Sequence, residues 1–235
     1  MRIEVFAICY NEEALLPYFL RHYSSFAQRI VVYDNYSTDR SVEICRANPL
    51  VEVIKYGSGD RIRDDIYLQI KNNCWKGSPA DWVIICDIDE LVYHPNIRQV
   101  LADCNSTLIE PELFNMFAEK FPITEGQIYD EVLMGIQGGG KKNLFKPRDI
   151  MEINYDPGCH VAFPEGRVVD NGPLGIKTLH MKYLSLDYTL ERKRLSNSRL
   201  SEVNKTMGWG VHYQVSDDEA VRGFQEEIIK AIKVL

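Results

Sequence analysis

Short runs of apolar, often β-branched residues recur through the first hundred positions. Each is followed by a stretch whose apolar residues return every three or four places. The runs at 3–9, 29–33, 50–56 and 81–86 predict strands, and Trp82-Val83-Ile84-Ile85-Cys86 in the last is apolar on both faces. Between them the spacing predicts helices over 12–26, 37–47 and 60–75; Leu15, Leu16, Phe19, Leu20 and Tyr23 carry the first. Asn11 is a candidate N-cap for it, and Pro17 predicts a kink or a later start. Such alternation predicts an α/β fold, with a mainly parallel central sheet flanked by helices.

The rhythm changes after about residue 104. Segments 107–121, 143–146, 150–155 and 159–163 read as strands or irregular connections rich in Pro and Gly. Two closing helices are predicted at 185–204 and 216–235. The second opens on Ser216-Asp217-Asp218-Glu219, a capping box, and continues in a stripe of Val221, Phe224, Ile228, Ile232 and Leu235. At 235 residues the chain is expected to form a single domain of three parts, 1–104, 105–185 and 186–235.

Composition narrows the function classes. The formal charge of −7 argues against a broad basic surface for duplex nucleic acid or anionic membrane. The charge is uneven, however: residues 141–205 hold 12 Lys and Arg against 8 Asp and Glu. No apolar run approaches the ~18 residues of a membrane span, and the start carries Glu4 where a signal segment would be apolar. The six cysteines are scattered without a C-x-x-C, as expected of reduced, structural thiols, which points to the cytoplasm.

Candidate chemistry lies at two predicted strand ends. The run Trp82–Cys86 leads directly into Asp87-Ile88-Asp89-Glu90-Leu91. Side chains two apart on an extended backbone share a face, so Asp87 and Asp89 can converge beyond the strand's carboxyl end, where open α/β sheets bind ligands. Two carboxylates there repel unless a hard cation separates them, and oxygen ligands suit Mg²⁺ or Mn²⁺. The second site is Tyr33-Asp34-Asn35-Tyr36-Ser37-Thr38-Asp39, where Ser37, Thr38 or Asp39 can cap the next helix.

With Cys9-Tyr10-Asn11-Glu12-Glu13 ahead of these two motifs, the chain resembles GT-A fold glycosyltransferases, most nearly the family 2-like group. The likeness is strongest over 1–100 and looser over 140–205. It implies transfer of a sugar from a nucleoside-diphosphate sugar, usually UDP-linked, to an acceptor hydroxyl on a glycan or lipid-linked molecule, as in surface polysaccharide synthesis. The expected parts are a nucleotide-sugar-binding half (1–104), an acceptor-side half (105–185) and closing helices (186–235). Tyr10 would stack on or flank the base, with Asn11 beside it; Asp34 and Asn35 would bind uracil or ribose. Asp87 would approach ribose and metal, and Asp89 would be the main metal carboxylate. Arg63 is a candidate for the donor phosphates. His180 resembles the late metal histidine of such enzymes, with His212 as competitor.

The family's usual later Glu-Asp pair, which supplies a general base, does not occur. His160 is the candidate in its place, with Asp130, Glu131, Asp156 and Glu165 open. Gly-flanked Trp209 suggests a flap. Arg192, Lys193, Arg194 and Arg199 read mainly as a solvated helix face, with neutralisation of phosphate or of a lipid-linked acceptor as the alternative; peripheral membrane association of the protein stays open. The rival readings are a nucleotidyltransferase or phosphatase using Asp87 and Asp89, and a non-catalytic nucleotide- or glycan-binding relative.

Overall fold

A computed structural model describes residues 1–235. The first half builds β1 (Ile3–Cys9), α1 (Leu16–Ser24), β2 (Arg29–Asp34), α2 (Ser41–Arg46), β3 (Val51–Lys55), α3 (Asp64–Asn73) and β4 (Trp82–Asp87). Next come β5 (Glu90–Tyr93), α4 (Ile97–Asp103), β6 (Leu108–Ile109), β7 (Glu112–Ala118), β8 (Met134–Gln137) and β9 (Leu144–Phe145). The chain continues with β10 (Ile150–Glu152), β11 (Glu165–Gly166), β12 (Lys177–Leu184), α5 (Leu186–Arg199), α6 (Glu202–Thr206), α7 (Asp217–Ile228) and β13 (Ile232–Lys233). The central sheet has the order β3-β2-β1-β4-β9-β6, parallel through β3, β2, β1 and β4 and antiparallel at β9 and β6. A second sheet runs β13-β8-β7-β12-β5. This is the α/β architecture that the alternation predicts.

The strands are apolar on both faces because both faces are covered. Val5, Ile30, Val32, Ile84 and Cys86 enter one core with α1, while Phe6, Val31, Val83 and Ile85 enter a second with Trp75 and Phe145. Alternation along one extended backbone therefore feeds two cores.

Several boundaries differ from expectation. Of the two readings left open by Pro17, the later start holds: α1 begins at Leu16, with the proline in the first turn, where its missing N–H costs nothing. Asn11 does not cap that helix. Its Oδ1 accepts the Thr38 N–H at 2.8 Å, while the Asn11 and Glu13 N–H groups donate to Ser37 Oγ and Asp39 Oδ2. Residues 37–39 thus tie the β1–α1 turn to the β2–α2 turn, and α2 starts only at Ser41.

The helix predicted over 60–75 is Asp64–Asn73, because Ile62 pairs with Leu200 instead. The helix predicted over 185–204 breaks at that same extended Leu200 and resumes as α6. The capping box of α7 forms as expected, but the helix stops at Ile228. Ile232 then pairs with Gly135 as a strand, leaving Ile232 exposed and Val234 buried. No strand forms over 159–163; a single Tyr155–Ala162 bridge stands there.

Core packing carries one pH-sensitive group. His22 of α1 is buried beside the rings of Tyr23, Phe26 and Tyr129, with Nε2 3.0 Å from Val92 O. Burial lowers its pKa to about 4. An unfolded histidine titrates near ~6.5, so between these values the unfolded chain binds more protons and stability rises with pH. Thermal unfolding is expected to lose about 3 kcal/mol from this group as pH falls from about 6.5 to 4. A His22→Gln variant should lack that part of the dependence.

Candidate active site

The register of the parallel strands brings the predicted acidic ends together. Cys9 lies opposite Asp34 on one side of β1, and Ile8 lies opposite Asp87 on the other. At about 5 Å per strand spacing, Asp34 and Asp87 flank the end of β1 with backbones about 10 Å apart. Asp89 follows in the turn between β4 and β5, where its carbonyl accepts the Met181 N–H of β12 at 2.7 Å. Both sheets therefore meet at the D-x-D segment.

The two carboxylates are not bare. Asp87 holds Lys71 Nζ at 2.7 Å on Oδ1 and Lys141 Nζ at 3.4 Å on Oδ2. Lys141 also lies 2.5 Å from Oε1 of the buried Glu90, whose Oε2 accepts the Asp87 N–H. Asp89 Oδ2 takes Arg192 Nη2 at 3.0 Å and has His180 Nε2 at 3.4 Å. Arg192 Nη1 reaches Glu12 Oε2 at 2.6 Å, so one guanidinium bridges the ends of β1 and β4.

Proton affinities follow from this packing. Burial raises that of Asp87, but Lys71 and Lys141 outweigh it and bring the pKa down to about 2. Asp89 is likewise held well below the usual carboxylate range, because His180 and Arg192 overcome its burial. Glu12 moves the other way, to about 7: burial leads, Asp89 and Asp87 add repulsion, and Arg192 only partly offsets them. Partial desolvation of its ring and the neighbouring Lys141 lower His160, although the residue as a whole is exposed.

Of the other predicted site residues, Asp34 is buried with Lys55 Nζ 2.8 Å from its Oδ2. Asn35 is buried and donates from Nδ2 to Ser58 Oγ at 2.7 Å. Tyr10 is stacked against the Arg199 guanidinium. Arg63 is held by Asp65 at 2.6 Å. His160 is exposed beside Gly139. His180, rather than His212, stands next to Asp89; the His212 ring instead lies tilted against that of neighbouring Tyr213.

A divalent cation was expected on Asp87, Asp89 and His180. No three His, Cys, Asp or Glu side chains stand where they would together hold a metal ion. Asp89 and His180 form a carboxylate–imidazole donor pair of the kind that suits Mn²⁺, while both carboxylates also hold cationic side chains, Lys71 and Lys141 on Asp87 and Arg192 on Asp89. Four acidic side chains, Glu12, Asp87, Asp89 and Glu90, thus face four basic ones, Lys71, Lys141, Arg192 and His180.

Glu12, Lys71, Glu90, Lys141, Arg192 and Arg199 are the residues that sequence reasoning did not place. Lys71 and Lys141 carry no motif. Arg192 and Arg199 had a signal in their seven-residue spacing, which puts both on one face of α5. That face turns inward, while Arg194 pairs with Asp217 at the surface.

No protein-family description matches the chain, and no curated protein matches it. Among solved structures it is similar to glucosyl-3-phosphoglycerate synthase from Mycobacterium tuberculosis, in complex with Mn²⁺, uridine diphosphate and phosphoglyceric acid. That match is 17% identical with a TM-score of 0.35, and covers 48% of this chain and 43% of that one. It is also similar to a 4-diphosphocytidyl-2C-methyl-D-erythritol synthase, at 14% identity and TM-score 0.38, covering 62% and 75%. HddC from Yersinia pseudotuberculosis gives 12% and 0.33, covering 63% and 74%. The chain thus spans less than half the length of the first. Likenesses this slight carry no argument about activity.

Proposed function

We propose that the chain is a glycosyltransferase that takes a nucleoside-diphosphate sugar, with UDP as the nucleotide, and passes the sugar to an acceptor hydroxyl. The observation that carries this reading is the meeting of Tyr10, Asp34 and Asp87 around the carboxyl end of one central parallel strand, with Asp89 beyond it. Such strand ends are where open α/β sheets hold nucleotides.

Lys71, Lys141 and Arg192 are fixed cations beside the carboxylates, placed to meet negative charge that develops on a departing diphosphate. A divalent cation held by Asp89 and His180 would supply further Lewis-acid neutralisation of that leaving group. His160, exposed beside Gly139, has an imidazole able to take the acceptor proton. A phosphatase reading, with Asp87 as nucleophile, fits less well because both carboxylate oxygens hold ammonium groups.

No helix is long and apolar enough to cross a membrane. The acceptor is therefore proposed only as a hydroxyl-bearing glycan or lipid-linked molecule that reaches this strand end.

A thermal-shift panel of UDP-, GDP-, CDP- and TDP-sugars, with and without Mn²⁺, tests the reading. At a hundredfold excess over Kd, a bound donor should add about 2.7 kcal/mol. The expected result is a rise in Tm with the UDP-sugar, largest with Mn²⁺. No shift with any nucleotide would overturn the proposal.

A further inference from the structure

The aromatic face assigned above to the nucleobase is already taken in the free protein. The Arg199 guanidinium carbon lies 3.2 Å from the centroid of the Tyr10 ring, a stacking distance for two planar groups. Tyr10 follows β1 directly, so this face belongs to the strand end that carries the site.

Arg199 is brought there by a strap, residues 198–204, laid along residues 61–64. The Ile62 N–H donates to Arg199 O at 2.7 Å, and Arg61 Nη1 donates to Ser198 O at 2.8 Å. The Asp64 N–H donates to Asn204 Oδ1, and Asn204 Nδ2 donates back to Asp64 Oδ2 at 3.0 Å. The strap itself is well tied.

The guanidinium is not. Arg199 is 7% exposed, yet its Nε and Nη2 have no hydrogen-bond partner. Asp60 Oδ1 lies 3.4 Å from Nε without hydrogen-bond geometry, and Asp60 is itself largely in solvent. A buried charged donor left unpaired is costly, and that cost works against the favourable cation–π stack. The contact is therefore poised to exchange for a neutral planar ring that needs no buried charge.

We propose that Arg199 is a resident competitor for the stacking face of Tyr10, and that the strap 198–204 lifts to let a nucleobase replace it. The inference rests on the nucleotide reading above and adds to it a selection rule. A ligand must bring a planar ring that stacks better than a guanidinium, so a diphosphate or sugar phosphate without a base does not displace Arg199.

UDP titrations by calorimetry on the full chain test this, with wild type, Arg199→Ala, Arg199→Lys and the double variant Ile62→Cys/Leu200→Cys. The last joins the strap to its seat across the Ile62–Leu200 bridge. Arg199→Ala is expected to bind UDP about 2- to 5-fold tighter than wild type, below the full range of a cation–π contact because the buried unpaired nitrogens already offset part of it. Arg199→Lys, which keeps the charge but loses the plane, should fall between them and carries the test if the alanine variant fails to fold.

The oxidised double variant should bind at least about tenfold more weakly and recover on reduction, with oxidant leaving wild type unchanged. Inorganic pyrophosphate should show no gain on removing Arg199. Equal or weaker UDP binding by both Arg199 variants, with wild type binding UDP, overturns the competitor role and leaves the nucleotide reading standing. No UDP binding by any form overturns both.

Discussion

Lys141→Met is expected to lower the unfolding free energy by about 3–5 kcal/mol, because it strands a carboxylate. Glu90 is 1% exposed and its Oε1 has Lys141 Nζ at 2.5 Å as its charge partner. Removing the ammonium leaves that oxygen buried without compensation, and Asp87 loses one of its two lysines as well. Urea unfolding should show the loss as a lower midpoint at unchanged slope. The double variant Glu90→Gln/Lys141→Met should recover most of it, since the uncompensated charge is then gone. A Lys141→Met protein as stable as wild type would show that water reaches Glu90 and that the pair is not a buried one.

Asp89→Asn is expected to cut sugar transfer by about a thousandfold or more while leaving the fold in place. Asp89 is the one carboxylate that touches both Arg192 and His180, so its loss frees the guanidinium and unpairs the imidazole at the same point. Arg192 still has Glu12 at 2.6 Å, which is why the helix should stay docked. Turnover of a UDP-sugar, with circular dichroism alongside, separates loss of chemistry from loss of structure. Full activity of the variant with EDTA present would remove both Asp89 and a divalent cation from the reaction.

The two variants probe different kinds of placement. Asp89 stands in a motif that can be read along the chain, D-x-D after an apolar run. Lys141 follows Gly138-Gly139-Gly140 in a segment with no periodicity, and nothing local marks it as a buried cation. Lys71 is similar: it lies on a helix read only as covering the sheet, and it turns out to be 7% exposed with its ammonium on Asp87. Arg192 and Arg199 were legible only as basic residues of a helix. Their partners, Glu12, Asp89 and Tyr10, stand more than a hundred positions away.

Misplaced helix ends have the same origin. Asn11 and residues 37–39 carry good capping side chains, and a local reading gives them to the nearest helix. The fold uses Asn11, Ser37 and Thr38 to join two turns that parallel pairing brings side by side, while Asp39 serves both, taking the Glu13 N–H on Oδ2 and the Ser41 N–H at the start of α2 on Oδ1. Leu200 sits within a stretch of helical spacing but extends to pair with Ile62, which breaks one predicted helix and shortens another.

Apolar patterning is enough to read the strand–helix order of the first hundred residues, the parallel sheet, and a strand that ends at Asp87 just ahead of Asp89. Apolar periodicity and strand alternation act between near neighbours, so they are written where they act. Which buried lysines and arginine those carboxylates meet depends on packing between distant segments. Lys71 and Arg192 arrive on two different helices and Lys141 on a loop, and a lone basic residue looks the same along the chain whether it is solvated or buried on a carboxylate. What separates the two cases is desolvation, which exists only once the chain has folded around the pair.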